Sequence, residues 1–137
     1  MKNPIQIHQF DPVIYPVKLF VVKNSTPEVI HNNFQLPNGD SLNTDRSIGA
    51  YAFTYSRIVE NKNNGKYGVL IRLFGKQLTS ELAHEATHAV SVIWDWLGEN
   101  NIGEEADAYL VQWVVACLEQ VNKNKFKNLL GYINYSL

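Results

Sequence analysis

Between Thr79 and Gly98, apolar side chains recur at Leu82, Ala86, Ala89, Val90, Ile93 and Leu97, a spacing that only a helix gathers onto one face. Thr79 or Ser80 offers a hydroxyl to cap the first free backbone donors, Glu81 falls in the first turn, and Gly98 supplies the stop. Opposite the apolar stripe lie His84, His88, Ser91 and Asp95. Residues four apart stack on one face of a helix, so His84 and His88 can present two imidazoles to one metal ion. Glu85 stands about 100° further round, beside the pair.

The five residues His84 to His88, HEATH, therefore carry the elements of a catalytic zinc site. Such sites use three protein ligands and a water whose pKa the ion lowers to about 7, so that a neighbouring carboxylate can remove its proton. Glu85 is the candidate general base. With four histidines in 137 residues, chance placement yields the pattern roughly 0.007 times per chain.

The rest of the chain alternates strand and helix signals. Val17 to Val22 is a β-rich run behind Pro12 and Pro16, and it predicts a first strand. Ser25, Thr26, Pro27 and Glu28 open a short helix reaching about Phe34, followed by a loop from Leu36 to Ser47. From Ala50 to Val59 the residues alternate, with Tyr51, Phe53 and Tyr55 on one face and Ala52, Thr54 and Ser56 on the other. Asn64 and Gly65 then predict a turn into a second long strand, Tyr67 to Phe74, giving an antiparallel hairpin of about 50–60 and 66–74. After Gly103 a further helix runs to about Val121, and the tail from Asn124 to Leu137 predicts a last helix with Phe126, Leu129, Leu130 and Ile133 inward.

A chain of this length fits a single domain over 1–137 that buries about two thirds of its unfolded surface. Net charge is −1 and the basic residues are scattered, which argues against a nucleic-acid partner, and Lys123, Lys125 and Lys127 read as a solvated face. The one cysteine, Cys117, lies in an apolar helical stretch and reads as a core residue rather than part of a disulfide framework. The N-terminus lacks a leader pattern, and the longest apolar run, residues 113–118, is too short to span a bilayer. A cytoplasmic protein without membrane attachment is expected.

Two histidines hold zinc poorly, and His8 and His31 are distant in sequence, so the third ligand is sought among Glu104, Glu105 and Asp107. A helix continuing from His88 to Gly98 travels about 15 Å past the metal. Residues 99–103 must cover that distance again, and five extended residues reach roughly 16 Å. A plain helical hairpin would instead set residues near Val114 opposite His88.

HExxH followed by a short linker and ExxA, here Glu105 to Ala108, resembles the gluzincin-type zinc metallopeptidases. It is most similar to the small minimal members carried by bacteria, phages and mobile elements, a neighbourhood that includes the ImmA/IrrE-like proteins. The resemblance covers residues 50–121 and is specific at HEATH and the Glu105 segment. It implies Zn2+ bound by His84, His88 and Glu105, with Glu85 as general base and Tyr109 as a candidate oxyanion stabiliser. It also implies an α+β, zincin-like fold in which a small antiparallel sheet packs on the HExxH helix and a following ligand-bearing helix. A peptide or protein substrate would add along strand 67–74. Glu104, one residue earlier, leaves the ligand assignment open by one position. Trp94, Trp96 and Trp113 are expected to build the packing between the two helices, and Arg72 is either a contact for a substrate carboxylate or a solvent-facing strand residue. Two rival readings stand beside the enzyme. One is a regulatory or interaction module that keeps the metal site, and the other is a phage or plasmid structural protein with an accidental HExxH.

Overall fold

The computed structural model describes residues 6–44, 52–99, 102–123 and 133–136. Ala50 and Tyr51 of the expected strand, and Phe126, Leu129 and Leu130 of the expected last helix, lie outside them. The architecture is α+β. The elements run β1 (Gln6–Phe10), β2 (Lys18–Lys23), α1 (Pro27–Asn33), β3 (Phe34–Gln35), β4 (Ala52–Thr54), β5 (Val59–Asn61), β6 (Tyr67–Leu73), α2 (Thr79–Leu97), α3 (Glu104–Lys123) and β7 (Ile133–Ser136).

The described strands form one sheet in the order β3-β5-β6-β2-β1-β7, with β4 also paired to β6. The expectation of a small antiparallel sheet is corrected here. The sheet is mixed, because β2 and β6 pair in parallel, Lys18 opposite Gly68 through Lys23 opposite Leu73. Both strands are apolar nearly throughout, as strands covered on both faces are, and a parallel pair needs the long crossover that α1 and β3 to β5 provide. One face of the sheet, with Leu19, Val21, Val69 and Ile71, packs under α2 and α3. The other, with Ile7, Phe20, Val22 and Leu70, packs under Ile30, Phe34 and Tyr55. Gly68 lets the central pair close, since a Cβ there would strike the Lys18 carbonyl and sit 2.8 Å from the Phe20 ring.

The predicted hairpin is present, but its outer strand is broken in two. β4 sets Ala52 opposite Leu73 and Thr54 opposite Ile71, and Tyr55 donates its N–H to Leu70 O at 3.0 Å. β5 resumes with Val59 opposite Gly68, so Ser56, Arg57 and Ile58 face Val69 alone. This is a bulge with two extra residues. Ser56 and Arg57 are extruded to solvent, and Ile58 and Val59 thereby return to the two buried faces of the sheet.

Three further readings change. The N-terminal segment forms β1, although its polar His8 and Gln9 are nearly as buried as Ile7 and Phe10, so no alternation of polarity announces it. Residues 133–136 form β7 rather than a helix, paired antiparallel with β1. Ile133 and Tyr135 favour extended backbone, and β1 otherwise offers an open edge there. At α2 the cap is Leu78 and no hydroxyl serves; the Leu78 N–H instead donates to Glu81 Oε1 at 2.9 Å. α1 follows expectation, with Thr26 Oγ1 accepting from Val29 N at 3.3 Å. α2 buries Leu82, Ala86, Ala89, Val90 and Ile93 and stops at Gly98, whose φ is +73°. α2 and α3 make a plain antiparallel hairpin. Thr79 Oγ1 donates to Glu119 Oε1 at 3.0 Å near one end, and Trp94 Nε1 donates to Asp107 Oδ1 at 2.9 Å near the other. Cys117 is fully buried on α3, and burial pushes its thiol up. No described helix is long and apolar enough to cross a membrane.

Candidate metal and catalytic site

The HEATH residues occupy the second and third turns of α2, where the sheet covers one side of the helix and solvent the other. His84 and His88 both lie on the open side. Their rings cross at 80° with centroids 4.7 Å apart, and the two Nε2 atoms stand 3.2 Å from each other. Two nitrogens bound tetrahedrally to zinc at 2.0–2.1 Å are separated by about 3.3 Å. The spacing of the pair matches that separation, and it is equally the length of an N–H···N hydrogen bond between the two rings.

Glu85 points the other way, into the seam between α2 and β4, and is 9% exposed. Thr54 holds it, donating its hydroxyl to Glu85 Oε1 at 2.6 Å, the short distance of a hydroxyl bound to a carboxylate. The alternation along 52–55 turns Thr54 and Ala52 toward α2 and Phe53 and Tyr55 toward the opposite core, as the sequence indicates. What the sequence does not reveal is that Thr54 meets Glu85 itself. The signal available was its place on the helix-facing side of an alternating strand.

The backbone of this strand also bears on the site. Tyr55 bonds directly to Leu70, so the intervening residues of the antiparallel ladder, Ala52 and Thr54, turn their own N–H and C=O groups away from β6. Among the described residues β6 is the only strand paired with β4. β6, by contrast, is bonded on both edges, by β2 on one side and by β4 and β5 on the other. Along 67–74, the expected path of a substrate strand, both sides of β6 are paired among the described residues, and the edge beside Glu85 belongs to β4.

The structure does not bring the α3 acids to the histidines. By the register of the hairpin, His88 lies opposite about Gln112, and Glu105 sits level with Asp95, roughly 10 Å further along the helix axis. Glu104 and Asp107 line an open cavity of about 510 Å3 with Asp95 and Glu99, at the far end of α2. Among the described residues no three His, Cys, Asp or Glu side chains gather closely enough to hold a metal ion. Tyr109 is 66% exposed on α3. Ser91 and Asp95 are exposed.

Arg72 takes neither role expected of it. It is 2% exposed on the sheet face away from α2, where Nε donates to Ser25 Oγ at 2.9 Å and Nη1 to Thr44 O at 3.0 Å. It ties β6 to the turn before α1 and to the following loop. The tryptophans divide. Trp94 packs edge-on against Tyr15, and Trp113 against Phe10. Trp96 is 46% exposed and meets Tyr67 rather than α3.

No family model matches the chain, and no curated protein or solved structure matches it.

Proposed function

We propose that the chain is a zinc-dependent peptidase in which His84 and His88 hold the ion and Glu85 is the general base. The observation that carries this reading is the 3.2 Å separation of the two Nε2 atoms on the same two turns of α2 as Glu85, whose carboxylate Thr54 holds at 2.6 Å in the adjoining seam. A zinc ion bound there would supply Lewis-acid polarisation of the scissile carbonyl and acidify the attacking water. Glu85, oriented by the Thr54 hydroxyl, would take a proton from that water and return it to the leaving amine. The outward N–H and C=O of Thr54 offer an extended peptide its backbone partners at the same place. Glu105 remains the third ligand proposed on resemblance, with Glu104 as its neighbour, and the hairpin register weighs against both.

The rival to this reading is an interaction module that holds metal without turnover.

The experiment compares wild type with Glu85→Gln, His84→Ala, His88→Ala and Glu105→Ala, reading bound zinc by elemental analysis and cleavage of a mixed peptide pool by mass spectrometry. Glu85→Gln is expected to keep zinc and to cut at least about 100-fold more slowly, the low end of general-base contributions. Each histidine variant is expected to lose zinc. Wild type that binds zinc without cutting any peptide selects the interaction module. Zinc retained in both histidine variants removes the metal site altogether, and zinc retained in Glu105→Ala removes only that ligand.

A further inference from the structure

We propose that the cavity beside the C-terminal half of α2 is the subsite for one large apolar side chain of an extended peptide, a proposal that rests on the peptidase reading above. Val92 and Trp96 form one wall and the Ser56 to Ile58 bulge forms the other, enclosing about 260 Å3. Pockets that enclose a whole small-molecule ligand run from about 300 to 1,000 Å3, so this one suits a single side chain. Val92 follows His88 by one turn and Trp96 by two, which sets the cavity one to two turns along α2 from the imidazole pair.

Two observations identify the occupant. Trp96 meets the Tyr67 ring edge-on at 5.9 Å and 89°, yet it is 46% exposed. An indole on a cavity wall left uncovered is a ready apolar contact for an incoming group. The neighbouring strand edge then points to a peptide, because the backbone groups of Ala52 and Thr54 that face away from β6 present the hydrogen-bond pattern an added strand takes. Arg57 and Asp95, exposed on opposite walls of the cavity, supply a donor and an acceptor for the carbonyl and amide that flank the seated side chain.

The test is an NMR titration of the metal-free protein, reading the indole N–H resonances of Trp94, Trp96 and Trp113, with Trp96→Phe as the assignment. The probes are acetyl-Ala-Ala-Phe-Ala-Ala-amide and its all-alanine counterpart. The Trp96 resonance is expected to move saturably while that of Trp94, bonded to Asp107, stays still. The phenylalanine peptide is expected to bind about tenfold more tightly, as one buried aromatic side chain implies. Trp96→Ala is expected to erase that preference. A Trp96 resonance that does not move, or two peptides that titrate alike, overturns the subsite. Because zinc is omitted, a failed metal or turnover assay reads out separately from a failed subsite.

Discussion

His8 is the side chain whose burial has the clearest consequence for stability. It lies on β1 opposite Val21 of β2, is 4% exposed, and desolvation, reinforced by the charge of Lys23, lowers its pKa from 6.5 to about 4. The folded protein thus keeps His8 neutral at pH values where the unfolded chain protonates it. Between pH 6.5 and 4 the unfolded state binds the extra proton, so unfolding becomes easier as pH falls; above pH 6.5 the two states agree and the effect vanishes. A shift from 6.5 to about 4 makes this cost about 2 kcal/mol at pH 5, rising to about 3 kcal/mol at pH 4. Urea unfolding of wild type and of His8→Gln at pH 8 and pH 5 isolates the contribution, because every other titrating group is common to both proteins. The variant is expected to lose about 2 kcal/mol less than wild type on that descent, whatever its starting stability. Parallel losses in the two proteins would refute the buried neutral imidazole.

Gly68→Ala is expected to cost about 1–3 kcal/mol, because the new methyl meets the Lys18 carbonyl, which is fixed in the central pair of the sheet; an unchanged urea midpoint would deny the close approach of β2 and β6. Thr54→Val keeps the shape of the side chain but leaves the nearly buried Glu85 carboxylate without its donor, at a cost of about 1.5–3 kcal/mol in chemical denaturation. Thr54→Ser should restore most of that, and a valine variant as stable as wild type would show that the 2.6 Å contact contributes nothing.

Helices were the most legible part of this chain, because α2 and α3 are long and periodic and α2 is bounded by Gly98. The hairpin turn was legible for the same kind of reason, local chemistry at Asn64 and Gly65. The sheet's topology was not, since whether β2 and β6 run parallel depends on partners about 50 residues apart. β1 escaped notice because His8 and Gln9 hide in the interior, and a strand buried with its polar residues shows no alternation. At the candidate site, the meeting of His84 with His88 follows from helical periodicity alone. The contact between Thr54 and Glu85 and the distance of Glu105 from the pair are set by tertiary packing, the first by the seam between α2 and β4, the second by the antiparallel register of α2 and α3.

The bulge at Ser56 and Arg57 imposes a parity on this edge of the molecule. Tyr55 and Ile58 belong to opposite faces of the sheet, so removing both intervening residues would splice β4 to β5 with every side chain still facing its proper way. Removing only one would invert the segment and swing Thr54 away from Glu85. Length changes at this corner are therefore tolerable only in pairs, which lets the wall facing Trp96 be lengthened or trimmed while the geometry around the glutamate stays untouched.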